Sequence, residues 1–500
     1  MIGLSIITTQ AQDINDAVRL AQSNINGTAR YSAMGGAFGA LGGDLSAISI
    51  NPASSAIFIN NQATVSLANF NKSNDSNYFG RNTSENKNTL DISQAGGVFV
   101  FDNYNKKDDW NKFVFAINYE NDNFSNKLFS AGTNPTNSVA NYFLYYANAH
   151  NGINGIRKDA LDNYYYDELD FADQQAYLGY WGYVINPLVN TDTNTVYTNG
   201  VRPGGNYYQE NSVSSVGYNS KVSLNGSAQY QNWLSIGLNL NFNSTDYRQT
   251  SKFYESNNNP LDATTMVSSV RFNNEFYTYG TGFSFQLGAI AKASKEVRFG
   301  LSYQSPTWFH LNDEFVQDLS ATSKNISGTL PTDIVNPRVI NIYEPYTLRT
   351  PSKLTGSFAY IFGKRGLFSL DYGIKNYSGT QFGPNSQFTN PAANNTNNDI
   401  KNALTTAKEI KLGGEIKLKQ WSIRGGYRFE ESPYKNKDVM GDLKGYSTGL
   451  GYSWGDTKLD LAYSTSSRDS QQSFFNQGLT DAAKMTTIKD VITATLVFEF

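Results

Sequence analysis

Residues 233–244 read WLSIGLNLNFNS, in which apolar and polar side chains alternate without a break. Side chains two residues apart in a strand lie on the same face, so this stretch predicts a strand with two different faces. Such a strand is typical of a wall between lipid on one side and a polar interior on the other. The apolar face carries Leu234, Ile236, Leu238, Leu240 and Phe242, and the polar face carries Ser235, Gly237, Asn239, Asn241 and Asn243.

The same alternation recurs along the chain as far as its last residue, Phe500. We predict about fourteen such strands, an even number like that of bacterial outer-membrane barrels. Element boundaries read from a pattern are uncertain by a few residues. The strands are predicted at residues 62–70, 92–101, 112–121, 212–231, 232–244, 271–291, 296–305, 352–363, 366–377, 406–419, 420–430, 443–455, 456–466 and 489–500.

The connections between these strands are of two alternating kinds. Some are tight turns, such as residues 419–420, and others are long loops, such as residues 378–405. Outer-membrane barrels place short turns in the periplasm and long loops outside the cell. The predicted fold class is therefore all-β, a transmembrane antiparallel β-barrel over residues 62–500 in the outer membrane, with both termini in the periplasm. Phe500 ends an alternating strand, which fits the signal that barrel-assembly machinery reads.

Composition supports a membrane barrel and excludes several other classes. Charged residues make up 17% of the chain and aromatic residues 14%, which is poor in charge and rich in aromatics for a soluble protein. A net charge of −3 gives no electrostatic case for binding nucleic acid. With no cysteine and only two distant histidines, the sequence offers no catalytic nucleophile arrangement and no metal site. We expect no enzyme activity and no cofactor.

The chain before the first strand does not alternate. Residues 1–12 look like the remnant of a secretory signal peptide, with cleavage after Ala11. Residues 13–26 predict a short helix, and the Gly- and Ala-rich residues that follow permit close approach of backbones. A periplasmic tail would expose the apolar side chains of residues 38–58. We therefore predict that residues 13–61 form a plug, or hatch, inside the barrel.

Several short motifs occur in the order found in one known family. Gly35-Gly36-Ala37 leads to Asn51-Pro52-Ala53, and GLSYQSP at residues 300–306 and RGGY at residues 424–427 follow. In these motifs the chain resembles the FadL-like outer-membrane transporters, which carry long-chain fatty acids, toluene and related hydrocarbons. The resemblance implies gating at Gly35, Gly36, Asn51, Pro52 and Ala53. It also implies ligand contacts by apolar residues of the hatch, namely Phe38, Leu41, Ile48, Ile50 and Phe58.

A long loop at residues 122–211 interrupts the barrel pattern. It combines many acidic residues with many aromatic ones, and residues 159–179 predict helix because they lack proline and internal glycine. The loop is interpreted either as a solvated cap over the barrel mouth or as a surface that captures ligand or binds a protein partner. The aromatic candidates for that surface are Tyr164, Tyr165, Tyr177, Tyr180 and Trp181.

Two functions follow from the resemblance. The first is passive uptake of small hydrophobic molecules such as long-chain fatty acids. Ligand would enter an apolar lumen pocket closed by the hatch and leave sideways into the membrane lipid. The alternative is a structural or secretion-associated barrel, since some members of the family in the Bacteroidetes resemble components of type IX-like export and surface attachment. That barrel would bind an outer-membrane or surface protein. A general porin is disfavoured by the hatch.

Overall fold

The computed structural model describes residues 14–22, 24–105, 108–150, 154–389 and 395–500. The predicted signal-peptide remnant at residues 1–12 lies outside the described residues.

Fourteen antiparallel strands form a closed barrel, which confirms the predicted fold class. Each strand pairs with the next along the chain, and β1 closes the ring on β14 with Gln62 opposite Glu499. The strands are β1 (Gln62–Tyr78), β2 (Arg81–Asp102), β3 (Trp110–Asn123 and Asn126–Asn134), β4 (Tyr207–Tyr230), β5 (Leu234–Asn257), β6 (Met266–Lys292), β7 (Val297–Gln304 and Trp308–Asn325), β8 (Tyr346–Arg349 and Lys353–Ile361), β9 (Gly366–Asn376), β10 (Thr406–Leu418), β11 (Trp421–Glu430), β12 (Leu443–Ser453), β13 (Thr457–Ser473) and β14 (Ala482–Glu499).

The polar face of each strand points into the barrel and the apolar face points out. On β5, Leu238 and Phe242 are 42% and 48% exposed, whereas Asn239 and Asn241 are 0% and 2% exposed. This arrangement is the reverse of a soluble protein, and it forms an apolar belt around the outside. Within the described ranges, no helix is long and apolar enough to cross a membrane.

The two ends of the barrel differ in the length of the connections between strands. Five are tight and join strands at one end, here called the turn end: residues 231–233, 293–296, 362–365, 419–420 and 454–456. The opposite end, here called the loop end, carries the long connections. One tight turn also lies there, between β1 and β2. Phe79 and Gly80 form it with φ angles of 46° and 81°, which favours glycine at the second position.

Many strands extend beyond their predicted bounds at the loop end. Strand β1, predicted to end at residue 70, continues to Tyr78, and β2 begins at Arg81 rather than near residue 92. Most of each extension is polar on both faces, as expected where neither face meets lipid, so alternation carries no signal there. Leu90, next to the predicted part of β2, is an exposed apolar exception. For the same reason the loop predicted at residues 122–211 shrinks to residues 135–206, between β3 and β4.

Helices lie inside the barrel and over its loop end. Helix α1 (Ile14–Ala21) is shorter than the predicted residues 13–26, and α2 (Ala29–Ala33) and two 3-10 helices (Leu45–Ser49 and Pro52–Ile57) follow it. Helices α3 (Ala140–Ala147), α4 (Lys158–Asn163) and α5 (Phe171–Trp181) build the cap. The remaining elements of the loop end are the short strands Ile185–Pro187, Tyr197–Asn199, Gly328–Val335, Asn341–Ile342 and Gln381–Gly383, the 3-10 turns Tyr166–Glu168 and Tyr377–Gly379, and helices α6 (Asn385–Phe388) and α7 (Thr396–Ala403).

Candidate functional site

Residues 24–61, here called the N-terminal segment, contact the inner face of the barrel through backbone carbonyls. Inward-facing amides of the wall donate to this segment. Asn225 donates to Pro52 O (2.9 Å), Asn239 to Ile48 O (2.7 Å) and Gln286 to Ile50 O (2.9 Å). These bonds explain the asparagine and glutamine on the inner face, because a segment with few regular helices needs partners for its carbonyls.

The Asn-Pro-Ala motif lies against two paired glycines of the wall. Asn51 accepts from Ala53 N–H (3.1 Å) and so caps the 3-10 helix Pro52–Ile57, and it donates to Ala289 O (3.0 Å). Gly237 and Gly288 face each other on β5 and β6. A Cβ on Gly237 would lie 2.4 Å from the Pro52 carbonyl, and one on Gly288 would lie 2.0 Å from Asn51 Oδ1. Only glycine permits this approach.

The glycines of the Gly-Gly-Ala motif adopt backbone conformations that other residues rarely tolerate. Gly35 and Gly36 have φ angles of 61° and 73°. Gly35 also lies against a second glycine pair, Gly413 and Gly426, and a Cβ on Gly426 would lie 2.3 Å from Gly35 N. The sequence analysis placed Gly237 on the polar face of its strand and Gly426 in the RGGY motif, but it did not predict that wall glycines contact the N-terminal segment. Their signal was glycine at inward positions of alternating strands.

The five apolar residues predicted to contact ligand do not form one surface. Phe38 and Leu41 pack together with Ile50 at the margin of the same cluster, whereas Phe58 packs with Leu45 and strand residues of β2 and β3. Ile48 is fully buried. The structure therefore places these side chains in the core of the N-terminal segment and its contact with the wall, and their contact with ligand stays a prediction.

An ion-pair network joins the segment to the wall. Arg30 Nε lies 2.8 Å from Glu415 Oε2, and the same carboxylate lies 2.7 Å from Arg424, which also pairs with Asp460. Burial disfavours the charge on Arg30, but Glu415 outweighs burial and holds the pKa of the guanidinium above its usual range. One carboxylate thus holds two guanidiniums, one from the segment and one from the barrel.

A cavity of about 340 Å³, here called the loop-end cavity, lies between α1 and the inner wall. The expected apolar lumen pocket with few polar groups stays a prediction, because this cavity has a mixed lining in which the inner faces of the strands contribute amides and hydroxyls. Apolar side chains cover only part of it: Val18, Phe124, Tyr247, Met440 and Leu443. Its charged lining residues are all basic, namely Arg19, Lys72, Arg468 and Lys489.

The barrel wall is interrupted beside this cavity. Strands β2 and β3 pair only from Gln94 opposite Glu120 toward the turn end. Beyond that point β3 breaks at residues 124–125, and its second half turns inward, where Ser130 bonds to Ser76 of β1 (2.6 Å). The unpaired stretch is here called the seam. Contacts across it involve side chains, such as Lys127 with Glu85 (2.8 Å) and Thr83 Oγ1, which donates to Phe129 O (2.5 Å). Residues of the break also line the loop-end cavity.

The predicted aromatic surface lies on the cap. Tyr164, Tyr165 and Trp181 are 56%, 76% and 42% exposed. Tyr177 and Tyr180 are half-buried and pack against the apolar core of the cap. Nearby, burial, reinforced by the charge of Asp170, raises the pKa of Asp173 to about 7. Within the described residues, no group of acidic, histidine or cysteine side chains is arranged to hold a metal ion.

Comparison with known proteins identifies one family and many solved structures of the same fold. The family model described as outer membrane protein transport protein (OMPP1/FadL/TodX) matches residues 180–496, more than half of the chain. A search of curated proteins found no match.

Among solved structures, a Pseudomonas aeruginosa FadL homologue has 12% identity and a TM-score of 0.53, over 95% of this chain and 98% of that one. The Pseudomonas putida toluene transporter TodX has 12% identity and a TM-score of 0.51, over 96% and 100%. The Ralstonia pickettii toluene transporter TbuX has 13% identity and a TM-score of 0.50, over 95% and 99%. At such identities the likeness shows the fold alone.

Proposed function

Because the chain belongs to the OMPP1/FadL/TodX family of outer-membrane transport proteins for hydrophobic compounds, which are not enzymes, we propose that it takes up molecules such as long-chain fatty acids by passive diffusion. The loop end then faces the outside of the cell, and the turn end and both termini face the periplasm. Helix α1 and the N-terminal segment together act as the hatch predicted at residues 13–61, and ligand leaves sideways into the membrane. An apolar solute gains nothing from a water-filled pore, so a lateral route suits it.

The seam is the observation that carries this proposal. Between β2 and β3 it has no backbone hydrogen bonds, and it lies directly beside a cavity inside the barrel. Its part next to the paired strands carries Leu90 and Ile92, which are 69% and 47% exposed on the outer face, and this is the part that would open toward lipid. Unpaired strand edges are uncommon in barrels, because closure otherwise satisfies every backbone group in lipid. Separating the two strands there breaks a few part-buried contacts that involve side chains and no backbone ladder, so we expect the wall to open at the seam at lower cost than between fully paired strands.

The lining of the loop-end cavity favours a carboxylate over a neutral hydrocarbon. Four basic side chains line it and no acidic ones do. Arg19, Arg468 and Lys489 already have carboxylate partners, Asp16 at 2.7 Å, Glu430 at 3.5 Å and Asp122 at 4.0 Å. A fatty-acid carboxylate would therefore pair first with Lys72 and share the more distant partners, while the apolar side chains contact its chain. Toluene has no charged group that could pair with these cations, although two of the similar structures are described as toluene transporters.

The experiment closes the seam covalently. The chain has no native cysteine, so Glu85→Cys with Lys127→Cys can be joined by a short bismaleimide in cells that lack other fatty-acid transporters. We expect cross-linking to reduce oleate uptake to background while the uncrosslinked double variant retains it. The matched control is Ser73→Cys with Asn86→Cys, which are already paired between β1 and β2. Undiminished uptake through a cross-linked seam would refute lateral exit.

No observation on the described residues or in the comparisons supports the alternative of a secretion-associated barrel.

A further inference from the structure

A second recess lies on the other side of the N-terminal segment. This turn-end recess has a volume of about 590 Å³. Part of its surface is apolar, formed by Leu41 and Ile57 of the segment and by Ile361 and Leu367 of β8 and the neighbouring β9. Uptake by lateral exit does not use this recess, because the N-terminal segment separates it from the loop-end cavity.

The charges around the turn-end recess do not balance. Six basic residues and four acidic residues line it. Most are paired: Arg30 and Arg424 share Glu415, Arg424 also reaches Asp460, and Lys458 pairs with Glu499. Arg298 and Lys419 have no ion-pair partner within the described part of the chain.

Arg298 is the more exceptional of these two cations because it is half-buried. Its Nη1 donates to Leu41 O at 2.8 Å, which is a neutral acceptor, and its buried Nε has no hydrogen-bond partner. A guanidinium has five N–H donors in a planar fork that fits a carboxylate. Leaving a partly buried guanidinium without a counter-ion has a free-energy cost, and an oxyanion is a group that reduces it.

We propose that the turn-end recess is an anion site that binds the carboxylate of an amphipathic molecule at Arg298, with its alkyl chain along Ile57, Ile361 and Leu367. An inorganic oxyanion would leave the apolar side chains uncovered. Because Arg298 also holds Leu41 O, binding there competes with a contact of the N-terminal segment. The site goes beyond the proposed uptake route, and it can exist whether or not ligand leaves through the seam.

The test measures binding at equilibrium in lipid nanodiscs, where no detergent tail competes. Ile59 lines the recess and is 81% exposed, so Ile59→Cys carries an environment-sensitive fluorophore. We expect a saturable change with octanoate, absent with octanol and not displaced by inorganic phosphate. Arg298→Gln should weaken octanoate binding roughly 10- to 100-fold, and Arg298→Lys should weaken it less.

Lys364→Gln, which removes a charge from a turn outside the recess, is the matched control and should change nothing. Heat-modifiable migration on gels shows that each variant keeps its barrel. Equal binding by Arg298→Gln and the parent, or equal binding of octanol, overturns the site. Displacement by phosphate overturns its amphipathic specificity. Oleate uptake is measured separately, so failure of the uptake route would not affect this result.

Discussion

Replacing Gly288 with alanine should loosen the N-terminal segment without opening the barrel. The new Cβ would lie 2.0 Å from Asn51 Oδ1 and 2.7 Å from Pro52 Cδ, where ordinary contacts begin near 3.4 Å. The motif must therefore move by about 1.4 Å (3.4 − 2.0). A shift of that size breaks the Asn51 bonds to Gly39 O and Ala289 O, which are 2.7 and 3.0 Å long. Losing two bonds of a buried amide costs about 2–4 kcal/mol.

The assay is thiol labelling of a buried reporter. Ser54 is 0% exposed and its hydroxyl has no hydrogen-bond partner, so Ser54→Cys is nearly isosteric and removes no contact. Labelling of this thiol requires transient opening of the segment. If Gly288→Ala lowers the free energy of opening by about 2–4 kcal/mol, the thiol should be labelled roughly 30- to 1000-fold faster than in the parent with Gly288. Gly226→Ala on β4 is the control, since a Cβ there meets nothing within 4 Å. Equal labelling rates in the two alanine variants would refute the argument that the Asn-Pro-Ala motif needs the close contact with Gly288.

Three further predictions concern charged groups. Glu415→Gln removes the carboxylate that Arg30 and Arg424 share. The labelling rate of Ser54→Cys should rise by a factor that corresponds to about 3–5 kcal/mol. An unchanged labelling rate would mean that the ion pairs do not hold the N-terminal segment. Asp173 has a folded pKa of about 7, above its unfolded value, so ionisation of its carboxyl destabilises the cap as pH rises from about 4 to 7. The variant Asp173→Asn should therefore slow hydrogen exchange of the α5 amides at pH 8 but not at pH 4. An equal effect at both pH values would contradict this. Lys489→Gln should weaken oleate binding in the loop-end cavity but not binding of a neutral long-chain alcohol, as measured by calorimetry; equal losses would argue against carboxylate recognition.

The barrel was predictable where a strand crosses lipid and not where it leaves it. Residues 234–242 alternate because one face meets lipid and the other the interior, and there the prediction of strand and orientation is confirmed. Residues 71–78 are almost wholly polar, and their strand is held by pairing with β2, a partner that only the folded chain supplies. Alternation of apolar and polar residues reflects two different environments on the two faces of a strand. Where both faces meet the same environment, the pattern does not predict a strand.

The site was predictable in its motifs but not in its contacts. The motif Asn51-Pro52-Ala53 was visible in the sequence. Its contact with Gly237 and Gly288 depends on strands that are far away in sequence. The loop-end cavity joins Arg19, Lys72, Arg468 and Lys489, which come from helix α1, β1, β13 and β14. No local pattern links such residues, because strand order and shear decide which inward positions meet.

The pairing of β1 with β14 has a consequence for biogenesis. The N-terminal segment is continuous with β1, the first strand to be made, and β14 is the last. Once Gln62 and Glu499 have paired, the ring is complete and a stretch of nearly forty residues with fixed contacts on many strands has no wide entrance left. We therefore expect the segment to take its place while the wall is still an open curved sheet. Its contacts with inward amides and glycines would then form before β1 and β14 pair, so that the core of the barrel assembles together with its wall.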